Sequence, residues 1–130
     1  MAGYSGTPLA KKLGIKAGTA VALMNAPDRM VEQLAPLPEG VNLRFGAGSG
    51  VRTALLFVRS RQELMLSFGG AAKCVEVNGH LWLAWPKKAS GVATDRQEDF
   101  VREYGLAQSW VDFKVCAIDE VWSGLCFARR

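Results

Sequence analysis

Three short runs of almost entirely apolar residues constrain the fold of this 130-residue chain more than any other feature. They cover residues 19–24, 53–58 and 80–85, and polar, Gly or Pro residues bound each of them. A continuous apolar run of this length is typical of a strand that is buried on both faces. Because such strands occur in parallel sheets covered by helices on both sides, the runs predict an α/β fold.

Start and stop signals of helices lie between and after these runs. Ser60 and Glu63 form a capping box, and Thr94 with Gln97 forms a second one. Proline marks helix starts, because it suits the first turn, and glycine marks helix ends, because it accepts the left-handed backbone beyond a helix. The predicted helices run from Thr7-Pro8 to Gly14, from Pro27 or Asp28 to about Ala35, from Ser60 to Asn78-Gly79, and from Thr94 to about Tyr104, with Gly105 as terminator.

Three further strands complete the predicted sheet. A weaker strand spans residues 41–45, and strands over 110–118 and 121–128 are joined at Asp119-Glu120 as an antiparallel hairpin. Strands that alternate with helices form βαβ units with right-handed crossovers. We therefore predict a Rossmann-like, mostly parallel sheet of six strands in the order 2-1-3-4-6-5. We expect a single domain over residues 1–130, in which residues 1–18 form an N-terminal arm and short helix.

Composition excludes several classes of protein. Hydrophobic residues make up 49% and charged residues 22% of the chain, which is typical of a globular domain. No apolar run approaches the roughly 18 residues of a membrane helix, and the N-terminus does not resemble a signal peptide. Cys74, Cys116 and Cys126 are widely spaced in apolar segments, which indicates reduced, buried thiols in a cytoplasm. The chain has one histidine, His80, whereas a histidine-based metal centre needs several.

The basic residues are concentrated in the first three quarters of the chain, which has a net charge of +4. Residues 1–94 carry eleven Lys or Arg against five Asp or Glu, whereas residues 95–130 carry five against seven. This balance favours a small anionic ligand. It does not favour nucleic acid, which needs clustered charge on one face, and nothing in the sequence indicates a membrane partner.

Polar residues follow the predicted strands at the edge where the parallel strands end. Ligands of open α/β sheets bind outside these carboxyl ends. The loop 86–91 after the fourth strand is the strongest candidate, because it combines two ammonium groups with a hydroxyl. The predicted binding residues are Asn25, Ser60, Trp85, Lys87, Lys88, Ser90, Asp119 and Trp122.

These residues have different expected roles. Lys87, Lys88 and Ser90 hold a negative group, whereas Asn25 and Asp119 orient polar parts of the ligand. Trp85 and Trp122 supply apolar contact, with Trp122 half-exposed beside its turn. Adjacent strand residues point to opposite faces, so Asp119 and Glu120 are better explained as turn residues that pair with Lys87 or Lys88 than as an acid–base pair.

Two other motifs have simpler explanations than a function. Residues 46–50 (Gly-Ala-Gly-Ser-Gly) spell a phosphate-binding loop, but a strand follows them where such a loop needs a helix. We interpret them as a flexible connection that replaces a βα unit. His80 begins a strand and is more simply a boundary residue than a catalyst.

A parallel sheet closed by an antiparallel C-terminal hairpin resembles the class I methyltransferases that use S-adenosylmethionine. The run from Leu13 to Gly18 is similar to their lead-in, and Asn78–Pro86 is similar to their fifth strand. The resemblance covers about residues 13–130 and implies S-adenosylmethionine as a cofactor. Two features of the residues speak against it: the turn Asn25-Ala-Pro-Asp28 has no glycine, and the second strand ends at Arg44-Phe-Gly46 without the acid that holds ribose hydroxyls.

The chain also resembles a family of small bacterial proteins catalogued as a domain of unknown function (number thirty fifty-two). The family implies the fold without an activity. The matching sequence motifs span nearly the whole chain and are Gly3-Tyr-Ser5, Thr7-Pro-Leu9, Lys11-Lys-Leu-Gly-Ile-Lys16, Trp85-Pro-Lys-Lys-Ala-Ser-Gly91, Glu98-Asp99, Val101-Arg102, Val115-Cys-Ala117, Asp119-Glu120 and Trp122-Ser-Gly124.

The sequence leaves three functions open. The residues favour a non-catalytic binding domain for a small anionic or nucleotide-like ligand at the carboxyl ends of the strands. The first alternative is a methyltransferase with an atypical cofactor turn. The second is a protein–protein interaction module whose apolar hairpin edge pairs with another chain.

Overall fold

One mixed sheet organises the protein. The computed structural model describes residues 8–46, 50–87 and 98–129. The sheet has six strands in the order β2-β1-β3-β4-β6-β5, as predicted. The first four strands are parallel, and β6 is antiparallel to both β4 and β5. The strands are β1 (Ala20–Met24), β2 (Asn42–Phe45), β3 (Val51–Phe57), β4 (Val75–Pro86), β5 (Trp110–Ala117) and β6 (Trp122–Arg129).

In the described ranges, four helices cover the two faces of the sheet: α1 (Leu9–Lys12), α2 (Met30–Leu34), α3 (Arg61–Cys74) and α4 (Glu98–Ala107). Two hydrophobic cores result. One core lies under α3 and α4 and includes Leu64, Phe68 and Trp85, and the other lies under α1 and α2 and includes Leu13 and Trp82. The central strands β3 and β4 contribute to both cores, which explains why their sequences are continuously apolar.

The third helix is shorter than predicted. It ends at Cys74, and β4 begins at the next residue, so that Asn78-Gly79 lies inside a strand instead of ending a helix. A Cβ at Gly79 would come within 2.5 Å of the Arg52 carbonyl oxygen and 2.6 Å of the Val75 Cγ1 atom. A glycine is therefore needed at this position because β3 and β4 approach each other closely, and not because a helix ends there.

The predicted role of Gly105 as a helix terminator is wrong. Gly105 is buried inside α4, against the ring of Phe127, and the helix continues to Ala107. Ser109, with φ of 72°, takes the left-handed conformation beyond the helix end. Gly14 does follow α1 with a positive φ of 78°, as predicted.

Several predictions fall on residues outside the described ranges. These are the cap at Thr7, the capping box of Thr94 and Gln97, and the candidate binding residues Lys88 and Ser90.

Candidate functional site

The carboxyl edge of the sheet is formed by the ends of the parallel strands together with the β5–β6 turn. Asn25 follows β1 there and is exposed. Its φ of 59° places it in the left-handed region, which asparagine enters more readily than most residues with a side chain. The turn therefore has, without a glycine, a backbone conformation that a glycine commonly supplies.

The hairpin turn is held by Asp119. Its Oδ1 atom accepts hydrogen bonds from the backbone N–H groups of Val121 (2.8 Å) and Trp122 (2.7 Å). Its Oδ2 atom accepts one from the Gln33 side chain of α2 (3.1 Å). Asp119 thus joins the turn to α2 across the edge, and both of its carboxylate oxygens serve this structural purpose.

The two tryptophans of the predicted site are buried on opposite faces of the sheet. Trp122 is 4% exposed, so the expectation that it is half-exposed is wrong. It packs edge-on against Phe57, with ring centroids 5.1 Å apart, in the core under α1 and α2. Trp85 is 7% exposed and lies in the other core, under α3 and α4. The two rings therefore cannot line one shallow cleft.

Arg59 is the residue of this edge that the sequence reasoning missed. It follows the buried end of β3, and its guanidinium lies over the Trp122 ring, with Cζ 5.0 Å from the centroid. Its backbone N–H donates to the Glu63 Oε1 atom (2.6 Å). The sequence does contain a signal for it, because Arg59 is the first charged residue after an apolar run and directly precedes Ser60.

The remaining predicted residues have mixed outcomes. Ser60 caps α3 as expected, since its Oγ atom accepts from the backbone N–H of Glu63 (3.0 Å). Lys87 is half-buried, and its backbone N–H donates to the Val121 carbonyl (2.7 Å), which places it beside the hairpin turn. The roles of Lys87 and Ser60 toward a ligand stay predictions, as do those of Asn25 and Asp119.

The end of β2 carries an exposed aromatic ring where a ribose-binding carboxylate would stand. Phe45 is 68% exposed and pairs with Leu23 of β1. The backbone N–H of Gly46 donates to the Leu23 carbonyl (3.0 Å), so β2 stays attached to β1 up to the edge.

His80 and Cys126 lie away from this edge, because His80 pairs with Thr53 and Ala128 and Cys126 pairs with Trp82, whereas Cys116 lies on β5 close to the hairpin turn. Burial, and then the positive charges of Arg52 and Lys114, lower the pKa of His80. Burial raises the pKa of Cys126 to about 12 and also raises that of Cys116, which disfavours a thiolate nucleophile at either position. Within the ranges that the structure describes, no group of three His, Cys, Asp or Glu side chains is arranged to hold a metal ion.

Comparison with known proteins identifies the fold. No family model and no curated protein matches the sequence. Solved structures match over nearly the whole chain. The N-methyltransferase NodS from Bradyrhizobium japonicum WM9 has a TM-score of 0.61 and 12% identity, over 93% of this chain and 92% of that one. This enzyme has also been solved in complex with S-adenosyl-L-homocysteine.

Two other methyltransferases match equally well. A type 11 methyltransferase from Sulfolobus solfataricus, itself described as putative, has a TM-score of 0.65 and 10% identity, over 94% of this chain and 89% of that one. The 1,6-didemethyltoxoflavin-N1-methyltransferase of Burkholderia thailandensis, solved with 1,6-didemethyltoxoflavin and S-adenosylhomocysteine, has a TM-score of 0.65 and 10% identity, over 93% and 74% of the two chains.

Identities of 10–12% establish the fold and nothing finer. The chain therefore has a short α/β fold of the kind found in S-adenosylmethionine-dependent methyltransferases, with six strands and an antiparallel C-terminal hairpin. In addition, none of the helices in the described ranges is long and apolar enough to cross a membrane.

Proposed function

We propose that the carboxyl edge of the sheet binds an S-adenosyl nucleoside, either S-adenosylmethionine or S-adenosylhomocysteine. The observation that carries this proposal is the left-handed conformation of Asn25 at the end of β1, on a fold shared with methyltransferases. A left-handed residue at this position turns the chain sharply and allows a ligand to approach the backbone closely. The left-handed backbone of Asn25 supports the proposal although the turn has no glycine.

The residues at the edge fit such a ligand in part. Asn25 supplies the turn, and the exposed ring of Phe45 at the end of β2 offers a flat apolar face to an adenine base. The carboxylate that would bind ribose hydroxyls is replaced here by that ring. We therefore expect recognition through stacking and backbone contacts, with weaker binding than a site that also holds the ribose.

S-adenosylmethionine supplies an electrophilic methyl group when it is bound. The described residues of the edge would orient the ligand: the Asn25 turn on one side, and on the other the Asp119 turn, which is fastened to Gln33. A methyltransferase activity is the extension of this binding function that the fold favours.

Titration calorimetry tests the proposal. We expect the wild-type protein to bind S-adenosylmethionine and S-adenosylhomocysteine with micromolar affinity. Asn25→Gly keeps the left-handed backbone and should retain most of this affinity. Asn25→Val is strained in that conformation and should reduce it about tenfold, which corresponds to about 1.4 kcal/mol.

A matched pair of aromatic substitutions tests the stacking surface. Phe45→Ala should weaken binding of both nucleosides, whereas Phe113→Ala, at a 55% exposed ring on β5, should leave it unchanged. A wild-type protein that binds neither nucleoside at millimolar concentration would refute the proposed function.

The second candidate function is the binding of a small anion without a nucleoside. It is favoured by two cationic residues, Arg59 and Lys87, that follow neighbouring strands β3 and β4 at this edge. Titration with inorganic phosphate separates the two functions. Saturable binding of phosphate, with no binding of S-adenosylhomocysteine, would support this candidate over the first.

We also propose that the chain is a cytoplasmic member of the small bacterial family of unknown function noted above. The sequence motifs that resemble this family support the assignment, and the buried thiols of Cys74 and Cys126 suit a reducing compartment. The interaction module remains a further alternative, since Val111, Phe113 and Val115 are exposed on the edge strand β5.

A further inference from the structure

Two of the three cysteines lie on the same face of the C-terminal hairpin. Cys116 of β5 pairs with Gly124, and Cys126 of β6 pairs with Lys114, so the two cysteines are diagonal neighbours on adjacent antiparallel strands. Both belong to the core under α1 and α2, where Cys126 is 2% exposed and Cys116 is partly buried. Cys74 lies in the core on the opposite face of the sheet.

The two thiols also interact electrostatically. Burial is the main cause that raises the pKa of Cys126 to about 12, and the neighbouring Cys116 raises it further, whereas Lys114 lowers it. Burial likewise raises the pKa of Cys116, and Lys12 and Lys114 lower it. The pair therefore forms one cluster of two thiols beside two ammonium groups.

The spacing of the pair suits a bridging ion better than a direct bond. Diagonal neighbours on antiparallel strands have Cβ atoms about 7 Å apart or slightly less, whereas a disulfide needs about 3.5–4.5 Å. A two-coordinate ion replaces one sulfur–sulfur bond of about 2 Å by two metal–sulfur bonds of about 2.3 Å each. It therefore spans about 2.5 Å more than a disulfide, which matches the diagonal separation.

The number and type of ligands select the ion. Zinc takes four ligands in a structural site, and iron–sulfur clusters also take four. No group of three or more His, Cys, Asp or Glu side chains in the described part of the chain could hold a metal ion. Two thiolates alone suit a soft, monovalent ion of low coordination number, which among biological metals is Cu(I).

The two lysines supply the charge that such a site needs. Lys114 is directly opposite Cys126, and its Nζ atom donates to the Lys12 carbonyl (2.8 Å). The Nζ atom of Lys12 donates to the carbonyl of Ala117 (3.2 Å), the residue after Cys116. Two thiolates with one Cu(I) carry a net negative charge, which these ammonium groups offset in a partly buried setting.

We propose that Cys116 and Cys126 together bind one cuprous ion between their sulfur atoms. Each thiol forms a sulfur–copper bond and releases its proton to the solvent. Two thiols and one Cu(I) thus give a bis-thiolate complex with a single negative charge, and two protons are released. No electron is transferred, because copper enters and remains as Cu(I). The site is separate from the proposed nucleoside site, and neither proposal depends on the other.

Competition with the colorimetric chelator bicinchoninate, under anaerobic conditions and with the full chain reduced, tests the site. We expect the wild type to withdraw one Cu(I) per chain from the chelator complex. Cys116→Ser and Cys126→Ser should each lower the affinity at least 100-fold, whereas the matched control Cys74→Ser should leave it unchanged. Circular dichroism verifies that each variant is folded.

Silver(I), which has the same charge and preference for thiolates, gives a second measurement. Trp82 is directly opposite Cys126 on β4 and belongs to the same core. We expect one equivalent of Ag(I) to quench tryptophan fluorescence in the wild type and in Cys74→Ser, and to leave Cys116→Ser unquenched.

Three results would overturn the inference: a wild type that takes no Cu(I) from the chelator, a folded Cys116→Ser that binds Cu(I) as tightly as the wild type, or a folded Cys74→Ser that loses as much affinity as the other two variants. If the buried Cys126→Ser does not fold, Cys116→Ser decides the matter alone, because its side chain is only partly buried.

Discussion

At the scale of single residues, two side-chain-bearing positions of the described chain have a left-handed backbone. Asn25 ends β1 with φ of 59°, and Ser109 precedes β5 with φ of 72°. A positive φ costs an L-residue roughly 1–2 kcal/mol, and asparagine least among them. Asn25 could be selected from the sequence because it follows an apolar run. Ser109 could not, because Gly105 offered a stronger local signal for the same helix end.

The strain at Ser109 predicts a stabilising substitution. Ser109→Gly should raise the free energy of unfolding by about 0.5–1 kcal/mol, because glycine adopts this conformation without a Cβ clash. Ser109→Ala keeps the Cβ atom and should give no gain. Urea unfolding followed by tryptophan fluorescence measures both, and equal stability of the two variants would contradict the explanation.

The buried thiols predict low reactivity. Burial raises the pKa of Cys126 to about 12, so that only a minute fraction of this thiol is ionised at neutral pH. We expect iodoacetamide at pH 8 to leave Cys126 unmodified in the folded protein and to alkylate it in urea. Peptide mass spectrometry makes the comparison, and rapid native alkylation of Cys126 would show that the site opens.

At the scale of elements, packing between helix and sheet overrides local helix signals. The sequence indicates the start of α3 correctly, because a capping box is a contact between residues three apart. It misplaces the ends of α3 and α4, because Gly79 and Gly105 are required by neighbours distant in sequence, Arg52 and Phe127.

Two glycines within helices should therefore respond in opposite directions. A Cβ at Gly105 would overlap the Phe127 ring, so Gly105→Ala should destabilise the protein by about 1–3 kcal/mol despite the helix propensity of alanine. Nothing lies within 4 Å of a Cβ at Gly70 of α3, so Gly70→Ala should stabilise it by up to about 1 kcal/mol. Thermal unfolding measures both, and a stabilising Gly105→Ala would refute the packing argument.

At the scale of the whole molecule, the proposed ligand-binding edge and the one histidine occupy different ends of the sheet. Asn25 and Arg59 follow the carboxyl ends of β1 and β3, whereas His80 pairs with Thr53 and Ala128 toward the other end. The ring of His80 packs against Phe113, with centroids 5.3 Å apart. A pH change should therefore act on stability through His80 without acting directly on the proposed ligand site.

The sign of that effect follows from the lowered pKa of His80. Burial and the charges of Arg52 and Lys114 hold the folded pKa below the ordinary value of 6.5, so the unfolded chain binds the proton more readily. The stabilising contribution is present above pH 6.5 and is lost as the pH falls through the folded pKa. In urea unfolding, His80→Gln should reduce the loss of unfolding free energy between pH 7 and pH 5. If this loss is unchanged in the variant, other titrating groups cause it.

The order of the strands and the presence of a carboxyl edge followed from the sequence, because apolar runs and the chirality of βα crossovers act locally. Tertiary structure alone decided which side chains that edge presents. Trp122 was expected to be half-exposed and is buried, with the Arg59 guanidinium over its ring, and Asp119 accepts a hydrogen bond from Gln33, 86 positions away. Burial and long-range hydrogen bonds depend on which elements pack together, and no local pattern of residue types encodes that.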